Sequence, residues 1–470
     1  MINVICKDKN KQINIYNIIK IFQGEEEITF SKKIKGRGLD IDIGVIDEIG
    51  SVKIYKDGNL VKENYINNTE YNYSKGKLIV NTLYEALSEY FKYEADYGTL
   101  TGIRPVKLVR TYIKKGYNLN QLKKILNKRY YLSNKKTEEL FYIAQKESQL
   151  INSDKISIYV NIPFCPSKCK YCNFVSFINR EDEIEKYIEY LKKDLMENFR
   201  LINRYNLEVE SIYIGGGTPS ILNNSLMEEL LSYIKANILD FKEFTFEAGR
   251  TDTLTEEKLE IMARYGVNRI SINPQSFNQD TLFNLNRYQD LSELERYFKL
   301  CKNKNISINS DLILGLPGEN FLDIKSSLDK LIELNPDNIT LHTLSIKNNS
   351  GISKEKLMSE EELLDSYNYA KSKLKSKNYQ PYYLYRQKDI VENLDNIGYS
   401  KLNKESLYNM NMIEESQTVI SAGLGSVTKI VGNTGIKRIP YNKSFKDYYH
   451  KYIYVNQNKE EYLKKILEEE

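Results

Sequence analysis

The segment Y-V-N-I-P-F-C-P-S-K-C-K-Y-C-N-F, residues 159–174, carries three of the chain's five cysteines. Cys165, Cys169 and Cys172 have the spacing C-x3-C-x2-C, and no fourth cysteine lies nearby. Cysteine thiolates are the usual ligands of iron–sulfur clusters, and this spacing lets three sulfurs converge on one cube. The fourth iron would then have no protein ligand and could chelate a small molecule. The segment therefore predicts a four-iron cluster that takes part in chemistry.

Two other uses of these cysteines fit the sequence less well. A structural zinc site prefers four Cys or His ligands, and the only histidines, His342 and His450, are far away in sequence. Disulfides suit short, cysteine-rich chains in oxidising compartments, whereas this chain has five cysteines in 470 residues. Cys6 and Cys301 stand alone, and we expect them to be small buried hydrophobic residues.

The region from about Ser157 to Leu344 repeats one pattern. Short apolar runs alternate with amphipathic stretches of helical spacing. The runs are I-S-I-Y-V-N-I, S-I-Y-I-G-G-G, F-T-F-E-A-G, R-I-S-I-N-P-Q, I-N-S-D-L-I-L-G and N-I-T-L-H-T-L. Six such units predict an α/β fold, with a parallel sheet and helices on its outer face. Curled into a partial (β/α)6 barrel of TIM type, the sheet would present its site at the carboxyl ends of the strands.

Residues that could bind a ligand or take part in a reaction lie at those strand ends. Gly215, Gly216 and Gly217 precede Thr218 and Pro219, and three glycines let a ligand approach the backbone closely. The acidic and amide side chains at later strand ends are Glu247, Gln275 and Asp311. A carboxylate in an apolar strand needs a partner to offset its desolvation. A neighbour in the barrel or a bound cofactor could supply that partner.

The pattern divides the chain into three predicted domains. Residues 1–148 form an α+β domain, with short strands over 1–75 and helices over 80–149. Residues 149–385 form the core barrel, and residues 386–470 form a mixed region that covers the substrate. We expect the last twelve residues, K-E-E-Y-L-K-K-I-L-E-E-E, to be a solvated helix.

Composition narrows the class of protein. The chain has 68 Lys and Arg residues and 64 Asp and Glu residues. This small net charge does not create an electrostatic field strong enough to indicate nucleic-acid binding. The N-terminus lacks the apolar core of a signal peptide. No apolar stretch approaches the roughly 20 residues of a membrane span. We expect a soluble cytoplasmic enzyme, in a compartment that keeps thiols reduced.

A set of motifs resembles a known family. The set is C-x3-C-x2-C, G-G-G-T-P, a strand-end Glu, P-Q-S, D-L-I-L-G-L-P-G and a late G-L-G. It resembles the radical S-adenosylmethionine (radical SAM) enzymes, and more closely their oxygen-independent coproporphyrinogen III oxidase branch. The runs T-G-I-R-P-V-K-L, F-E-A-G-R, S-I-N-P-Q-S and Y-Y-L-Y-R-Q-K, with the N-terminal extension, resemble the coproporphyrinogen dehydrogenase HemZ group in particular.

The resemblance implies specific cofactor contacts. The three cysteines would ligate a [4Fe–4S] cluster whose open iron binds S-adenosylmethionine. Residues that match contacts to the first cofactor molecule are Tyr159, Tyr171, Gly216, Gly217, Thr218 and Glu247. Residues that match contacts to a second molecule seen in this branch are Gln275, Arg287 and Asp311. One or two molecules of S-adenosylmethionine are therefore expected.

The resemblance also implies a reaction. A radical made from the cofactor would remove hydrogen from the β-carbon of a propionate, and loss of carbon dioxide and one electron would leave a vinyl group. Two such events would convert coproporphyrinogen III to protoporphyrinogen IX. A flavodoxin or a ferredoxin would supply electrons. Arginine suits carboxylates, so the candidates for substrate contact are Arg250, Tyr385, Arg386 and Lys388, with a charged barrel-edge strand as the alternative.

Two positions keep other functions open. Asn161 stands where many members of the branch have histidine, and Phe174 stands where the dehydrogenases have a fourth cysteine. Phenylalanine at the second position is shared with a relative that resembles a haem chaperone. The chain could therefore be a decarboxylase, a haem-binding delivery protein or a haem-directed radical methyltransferase. His342 could bind haem or transfer protons, or it could be an interior hydrogen-bonded histidine.

Overall fold

Contacts along the chain define two units, Met1–Gln145 and Lys146–Glu470. The structure is a computed structural model, and it describes residues 1–470 apart from 7, 24–25, 103, 179, 347–350, 353–356, 388–393, 434 and 470, and apart from the side chains of residues 70 and 469. The division into three domains at residues 148 and 385 stays a prediction. No helix in the described part of the chain combines the length and the apolar character needed to cross a bilayer.

The first unit is a five-stranded sheet with helices. Its strands are β1 (Ile2–Cys6), β2 (Ile28–Ser31), β3 (Leu39–Ile46), β4 (Ile49–Lys56) and β5 (Asn59–Asn67), in the order β2-β1-β3-β4-β5. Its helices are α1 (Gln12–Phe22), α2 (Lys75–Phe91), α3 (Pro105–Lys114), α4 (Leu119–Tyr130) and α5 (Asn134–Leu150), the last of which continues into the second unit. Strand β1 is parallel to both of its neighbours, while β3, β4 and β5 form an antiparallel meander.

Helix α1 lies where the sequence predicted short strands, so that part of the prediction is wrong. Its sequence, Q-I-N-I-Y-N-I-I-K-I-F, is rich in β-branched residues, which favour strands. Ile15, Ile18 and Ile19 are nevertheless completely buried at helical spacing. Burial of one helix face therefore overrides local strand propensity.

The second unit is built around the six predicted strands. They are β6 (Ile156–Ile162), β9 (Val209–Gly216), β10 (Glu243–Gly249), β11 (Arg269–Ile272), β12 (Ser307–Leu314) and β13 (Asn338–Thr343), all parallel and adjacent in that order. Short strands β7 (Phe164–Cys165) and β8 (Phe177–Ile178) pair with each other. The helices between the strands are α6 (Glu181–Arg204), α7 (Asn224–Asn237), α8 (Glu256–Arg264), α9 (Gln279–Asn284), α10 (Leu294–Asn303) and α11 (Phe321–Leu334). The α/β fold with a partial TIM-type barrel is confirmed.

The remaining elements extend this sheet at both edges. They are α12 (Glu360–Ser376), β14 (Gln380–Tyr385), β15 (Asn396–Ser400), α13 (Leu407–Glu414), β16 (Thr418–Ala422), β17 (Val427–Gly432), β18 (Gly435–Pro440) and α14 (Phe445–Glu469). At one edge β15 pairs antiparallel with β13, and β14 pairs antiparallel with β15. At the other edge β16 pairs parallel with β6, and β17 and β18 follow it as antiparallel strands. The eleven-stranded sheet ends at β14 and β18.

Side chains mostly alternate between apolar and polar along the parallel strands. On one face lie completely buried apolar residues, among them Ile158, Ile214 and Phe246. On the other face the residues are polar, as in Ser157, Tyr159 and Asn161 of β6. Since alternate residues of a strand point to opposite faces, one face packs against the helices and the other lines the barrel with hydrogen-bonding groups.

A buried ion pair closes the barrel at the amino ends of the strands. Arg269 Nε lies 3.1 Å from Glu243 Oε2, and Arg269 Nη1 donates to Asn309 Oδ1 at 2.7 Å. The Glu243 carboxylate also accepts from the Leu407 and Tyr408 amides at the start of α13, at 2.8 and 3.1 Å. A carboxylate at a helix N-terminus satisfies amides that have no partner within the helix. Helix α13 is thereby fixed at the bottom of the barrel.

The C-terminal helix α14 is not only a solvated helix, which corrects the sequence prediction. Lys459 is completely buried, and its Nζ donates to Asn198 Oδ1, the Ser421 carbonyl and Tyr441 Oη at 2.6–2.7 Å. Asp194, also buried, accepts from four donors. Those donors are the Gly423 amide, Tyr441, Tyr448 and Asn456. Burial lowers the pKa of Lys459 to about 8.

We expect Lys459→Met to destabilise the protein. The substitution keeps the length of the side chain but leaves the buried acceptors around it without their donor. Removing one member of a buried charged network costs about 3 kcal/mol. Denaturant unfolding at pH 7 measures the loss as a lower midpoint.

Lys464→Met is the matched control, because Lys464 is on the same helix with a side chain that is 64% exposed. Its midpoint should stay close to that of the unaltered protein. Equal midpoints for the two variants would contradict a stabilising role for the buried network.

Candidate functional site

The predicted cluster ligands lie in one loop, residues 163–176, which we call the cluster loop. Cys165 and Cys169 are buried and Cys172 is partly buried, and all three are free thiols. The Cys172 amide donates to the Cys169 carbonyl at 3.0 Å, so the loop turns tightly between the second and third cysteine. Pairing of β7 with β8 holds the two ends of the loop together.

Opposing effects act on the thiols. Burial raises the pKa of Cys165 and of Cys172, and in Cys165 a hydrogen bond from Thr218 Oγ1, 3.6 Å from the sulfur, partly offsets the effect. Arg287 Nη1 lies 3.9 Å from Cys169 Sγ. This contact places a guanidinium group directly beside the second of the three predicted cluster ligands.

The chemistry of the donor set fits a cluster better than a single ion. In the described residues no three Cys, His, Asp or Glu side chains are placed to hold one metal ion. In a cubane cluster each thiolate binds a different iron, so its ligands do not have to meet at one point. Three thiols in one loop, without a fourth ligand, suit such a cluster with one open iron.

The glycine run beside the loop is required by close packing. A Cβ on Gly217 would lie 2.4 Å from the Phe164 carbonyl oxygen and 2.8 Å from Cys165 Sγ. A Cβ on Gly216, whose φ is +120°, would lie 2.2 Å from Asn161 Oδ1. Side chains are excluded at both positions. The end of β9 therefore presents bare backbone directly beside the first cysteine.

Glu247 faces this glycine run from the end of β10. Burial, and then the nearby carboxylate of Asp311, raise the pKa of Glu247 to about 7, against hydrogen bonding from the Gly216 amide and Tyr213. A Cβ on Gly215 would lie 2.7 Å from Glu247 Oε2. The carboxyl group is thus a half-buried acceptor whose ionised form becomes more stable when a ligand brings donors or positive charge.

Arg287 joins the cluster loop to two strand ends. Its Nη1 donates to Tyr171 Oη at 3.2 Å, and its Nη2 donates to the carbonyls of Gly249 and Asn273 at 2.7 and 2.6 Å. Both Arg287 and Tyr171 are among the predicted cofactor contacts. The structure brings them together beside Cys169, and their contact with S-adenosylmethionine stays a prediction.

Unsatisfied polar atoms mark the same end of the barrel. Gln275 has a φ of +67°, and its backbone pairs with β12 through the Asp311 carbonyl and the Ile313 amide, both at 2.9 Å. Its Oε1 is buried without a hydrogen-bond partner, as are Asn273 Oδ1 and Arg287 Nε. Buried polar atoms without partners are rare and costly. They indicate a place where a ligand supplies the missing partners.

Asp311, His342 and Tyr385 form a polar row in the barrel. His342 Nε2 lies 3.5 Å from Asp311 Oδ2, and His342 Nδ1 lies 3.3 Å from Tyr385 Oη. The side chains of Asp311 and His342 are 22% and 27% exposed, so the row can be reached by a ligand. His342 is therefore hydrogen-bonded but not sealed in the core.

Tyr159 is held by the side chain of Asn161. Tyr159 Oη donates to Asn161 Oδ1 at 2.9 Å, while Asn161 Nδ2 donates to the Leu424 carbonyl at 2.7 Å. Leu424 belongs to the late G-L-G run. Asn161 thus connects the predicted cofactor tyrosine to the C-terminal part of the sheet.

Sequence reasoning missed two tyrosines that stack on Tyr159. Ring centroids of Tyr213 and Tyr408 are 4.4 Å apart, and each lies about 6 Å from the ring of Tyr159. The alternation in S-I-Y-I-G-G-G places Tyr213 on the polar face and could have revealed it. Tyr408 is brought in by α13, and no local signal indicates it.

The predicted substrate residues differ in their surroundings. Arg250 is nearly fully buried, and its guanidinium pairs with Asp252 at 2.5 Å, with Ser167 Oγ at 2.7 Å and with the Tyr288 carbonyl at 3.0 Å. Its donors are therefore used within the chain. Arg386 is buried and also has interactions within the chain. Lys388 lies outside the described residues.

Comparisons with known proteins identify the family of the chain. The pattern of the Radical SAM superfamily matches residues 159–331. The oxygen-independent coproporphyrinogen-III oxidase-like protein HemZ of Bacillus subtilis is 35% identical over 389 residues, covering 79% of this chain and 78% of that protein. The heme chaperone HemW of Escherichia coli is 33% identical over 239 residues, covering 50% of this chain and 62% of that protein.

A solved structure supports the fold. The coproporphyrinogen III oxidase HemN of Escherichia coli, described as a radical SAM enzyme, superposes with a TM-score of 0.53 at 20% identity, covering 68% of this chain and 73% of that chain. Members of the superfamily use a [4Fe–4S] cluster and S-adenosylmethionine, so the predicted cofactors are confirmed at the level of the family. Together with the cysteine loop and the glycine run, the Radical SAM pattern and the length of the HemZ match show that the chain belongs to the radical SAM superfamily, in the family of the oxidase-like protein HemZ.

Proposed function

We propose that the chain catalyses the anaerobic oxidative decarboxylation of coproporphyrinogen III to protoporphyrinogen IX. Its similarity to a coproporphyrinogen-III oxidase-like protein over most of both chains supports this reaction. The observation that carries the proposal is that His342, with Nδ1 against Tyr385 and Nε2 3.5 Å from Asp311, lies in a partly exposed polar row that a propionate can reach.

The cofactors supply, when bound, a one-electron cleavage that produces an organic radical. Cys165, Cys169 and Cys172 would hold the cluster. Glu247 would accept hydrogen bonds from S-adenosylmethionine, and the bare backbone of Gly216 and the neighbouring glycines would let the cofactor approach. Tyr213, whose ring stacks on that of Tyr408, donates a hydrogen bond to Glu247.

Recognition of the propionate would fall to the polar row. His342 can donate a hydrogen bond to a carboxylate, with Tyr385 and Asp311 fixing the orientation of its ring. Two carboxylates, Glu247 and Asp311, lie close by, so a propionate needs a donor or a positive charge there to bind. Arg386 and Lys388 stay candidates for the other carboxylates of the ring.

The electron donor and the compartment belong to the same proposal. The cluster would receive electrons from a flavodoxin or a ferredoxin. A cytoplasmic setting, which keeps thiols reduced, suits a loop whose three cysteines are free thiols.

A haem-binding delivery protein without decarboxylase activity is the second candidate. Similarity to HemW supports it. So does Phe174, which occupies the position of the fourth cysteine and is 72% exposed. An exposed aromatic ring beside the cluster loop could stack on a tetrapyrrole.

We expect the reconstituted protein, under anaerobic conditions with reductant and S-adenosylmethionine, to release two molecules of carbon dioxide per coproporphyrinogen III. Cys172→Ser should lose bound iron and turnover, because a cluster with two thiolates is poorly held. Iron analysis and product chromatography measure both effects.

Cys6→Ser is the control, since Cys6 lies in β1 of the first unit and should not affect iron content. Tight haem binding without carbon dioxide release would favour the delivery protein instead.

Glu247→Gln should weaken the binding of S-adenosylmethionine and remove its pH dependence. With a pKa near 7, the carboxyl group is mainly protonated at pH 6 and mainly ionised at pH 8. The ionised form attracts the cationic cofactor, so affinity should rise by about tenfold between these two values. Equilibrium titration at several pH values measures this slope. An equal slope in the glutamine variant would assign the titration to another group or to the cofactor itself.

His342→Ala distinguishes the two candidate functions. If His342 orients a propionate, the variant should raise KM for coproporphyrinogen III by about tenfold, because it loses roughly one charge-assisted hydrogen bond. Weak decarboxylation should remain. If His342 binds haem iron, the variant should lose haem binding, seen as loss of the Soret shift on titration. Tyr385→Phe is the matched control: it removes only the hydroxyl beside Nδ1 and should have a smaller effect on KM.

A further inference from the structure

The outer side of the cluster loop is exposed, basic and aromatic. Lys168 and Lys170 flank Cys169 and are both exposed. Within the described part of the chain, neither lysine side chain has an ion pair or a hydrogen bond. Phe174, two residues after the third cysteine, is 72% exposed.

A second segment adds to this surface. Residues 281–289 are held against the cluster loop, because Ser167 Oγ donates to the Asn286 carbonyl at 2.8 Å and the Lys170 amide donates to the Leu285 carbonyl at 3.0 Å. This segment exposes Phe283 by 64% and Tyr288 by 48%. Their rings pack edge to face at 5.5 Å. We call Lys168, Lys170, Phe174, Phe283 and Tyr288 the loop face.

The two segments that form the loop face carry no acidic residue. Residues 163–178 and 281–289 contain no Asp and no Glu, although the exposed Asp280 and Asp290 border the second segment and Asp252 is paired with Arg250 beside it. Arg287 lies beneath the face beside Cys169 and adds positive charge. The loop that carries the cluster ligands thus has unpaired positive charge on its exposed side.

Reductive cleavage of a sulfonium needs one electron from outside the chain. The probability of electron transfer falls steeply with distance, so the carrier must dock close to the cluster. The loop face is the exposed side of the segment that carries the ligands. In the transfer the carrier loses one electron and the cluster gains it, and no bond forms or breaks.

We propose that the loop face is the docking surface for an acidic, soluble one-electron carrier protein. Exposed aromatic rings provide desolvated contact at the centre of such a surface, and flanking charges raise the association rate and select a partner of opposite charge. A small face of this kind suits a transient complex. The inference rests on the cofactor chemistry of the family and does not depend on the identity of the tetrapyrrole.

The test compares two electron sources. The reconstituted protein would cleave S-adenosylmethionine with either an acidic flavodoxin in its reduced form or with dithionite, in the absence of any tetrapyrrole. Lys168→Gln combined with Lys170→Gln should lower the flavodoxin-driven rate by about tenfold, remove most of its dependence on salt, and leave the dithionite-driven rate unchanged.

A second measurement avoids turnover. Titration of oxidised flavodoxin with the protein should show binding weakened to a similar degree in the lysine double variant. Phe174→Ala should weaken binding without changing its dependence on salt, since it removes apolar contact only. Iron analysis confirms that each variant carries a full cluster.

The matched control replaces two exposed lysines on outer helices, Lys299 of α10 and Lys330 of α11, by glutamine. This control has the same loss of charge and should behave as the unaltered protein does. Three results would overturn the proposal. Equal loss with both electron sources would mean that the lysines act on the cluster itself, and no loss with either would mean that the carrier docks elsewhere. A raised KM for coproporphyrinogen III with unchanged flavodoxin binding would assign the face to the substrate.

Discussion

The alternation of apolar and polar side chains along six parallel strands is the constraint on which the rest of the structure depends. Residues such as Ile158, Ile214 and Phe246 pack on one face in a core that excludes water completely. This arrangement forces the intervening residues, hydroxyls, amides and carboxyls, onto the opposite face of the same strands. A polar face inside a barrel is stable only if its groups find partners. The two ends of the barrel meet that requirement in different ways.

At the amino ends of the strands, the chain supplies its own partners. Glu243 and Arg269 pair, and the carboxylate also fixes the start of α13. At the carboxyl ends, Gln275 Oε1 and Asn273 Oδ1 have no partner, and burial beside Asp311 raises the pKa of Glu247. The charged groups at the amino ends are therefore paired within the chain, although Asn309 Nδ2 and Asn338 Oδ1 there also lack partners. At the carboxyl ends the unpartnered atoms lie on the side of the barrel that carries the cluster loop and the glycine run.

The sequence predicted the parts of this arrangement that depend on local pattern. The six strands follow from the period of apolar residues, and the three cysteines from their spacing. Features that depend on contacts between distant segments had no such signal. Examples are the burial of Lys459 in a helix that reads as solvated, and the pairing of Arg250 with neighbours that use its donors. A basic residue has the same letter whether it binds a substrate carboxylate or a carbonyl of its own chain, so the roles of these residues could not be predicted.

Asn161 shows why the cluster motif does not determine the substrate. Its side chain accepts from Tyr159 and donates to the Leu424 carbonyl, and its own carbonyl accepts from Tyr187, which also accepts from the Leu424 amide. Because β16 pairs directly with β6, this C-terminal turn lies against the predicted cofactor tyrosine. A histidine at position 161, as in many members of the branch, would change the hydrogen-bond partner of Tyr159 and of the Leu424 carbonyl without affecting any cysteine. Divergence in substrate can therefore arise from the polar contacts around the cofactor tyrosine while the cluster ligands stay the same.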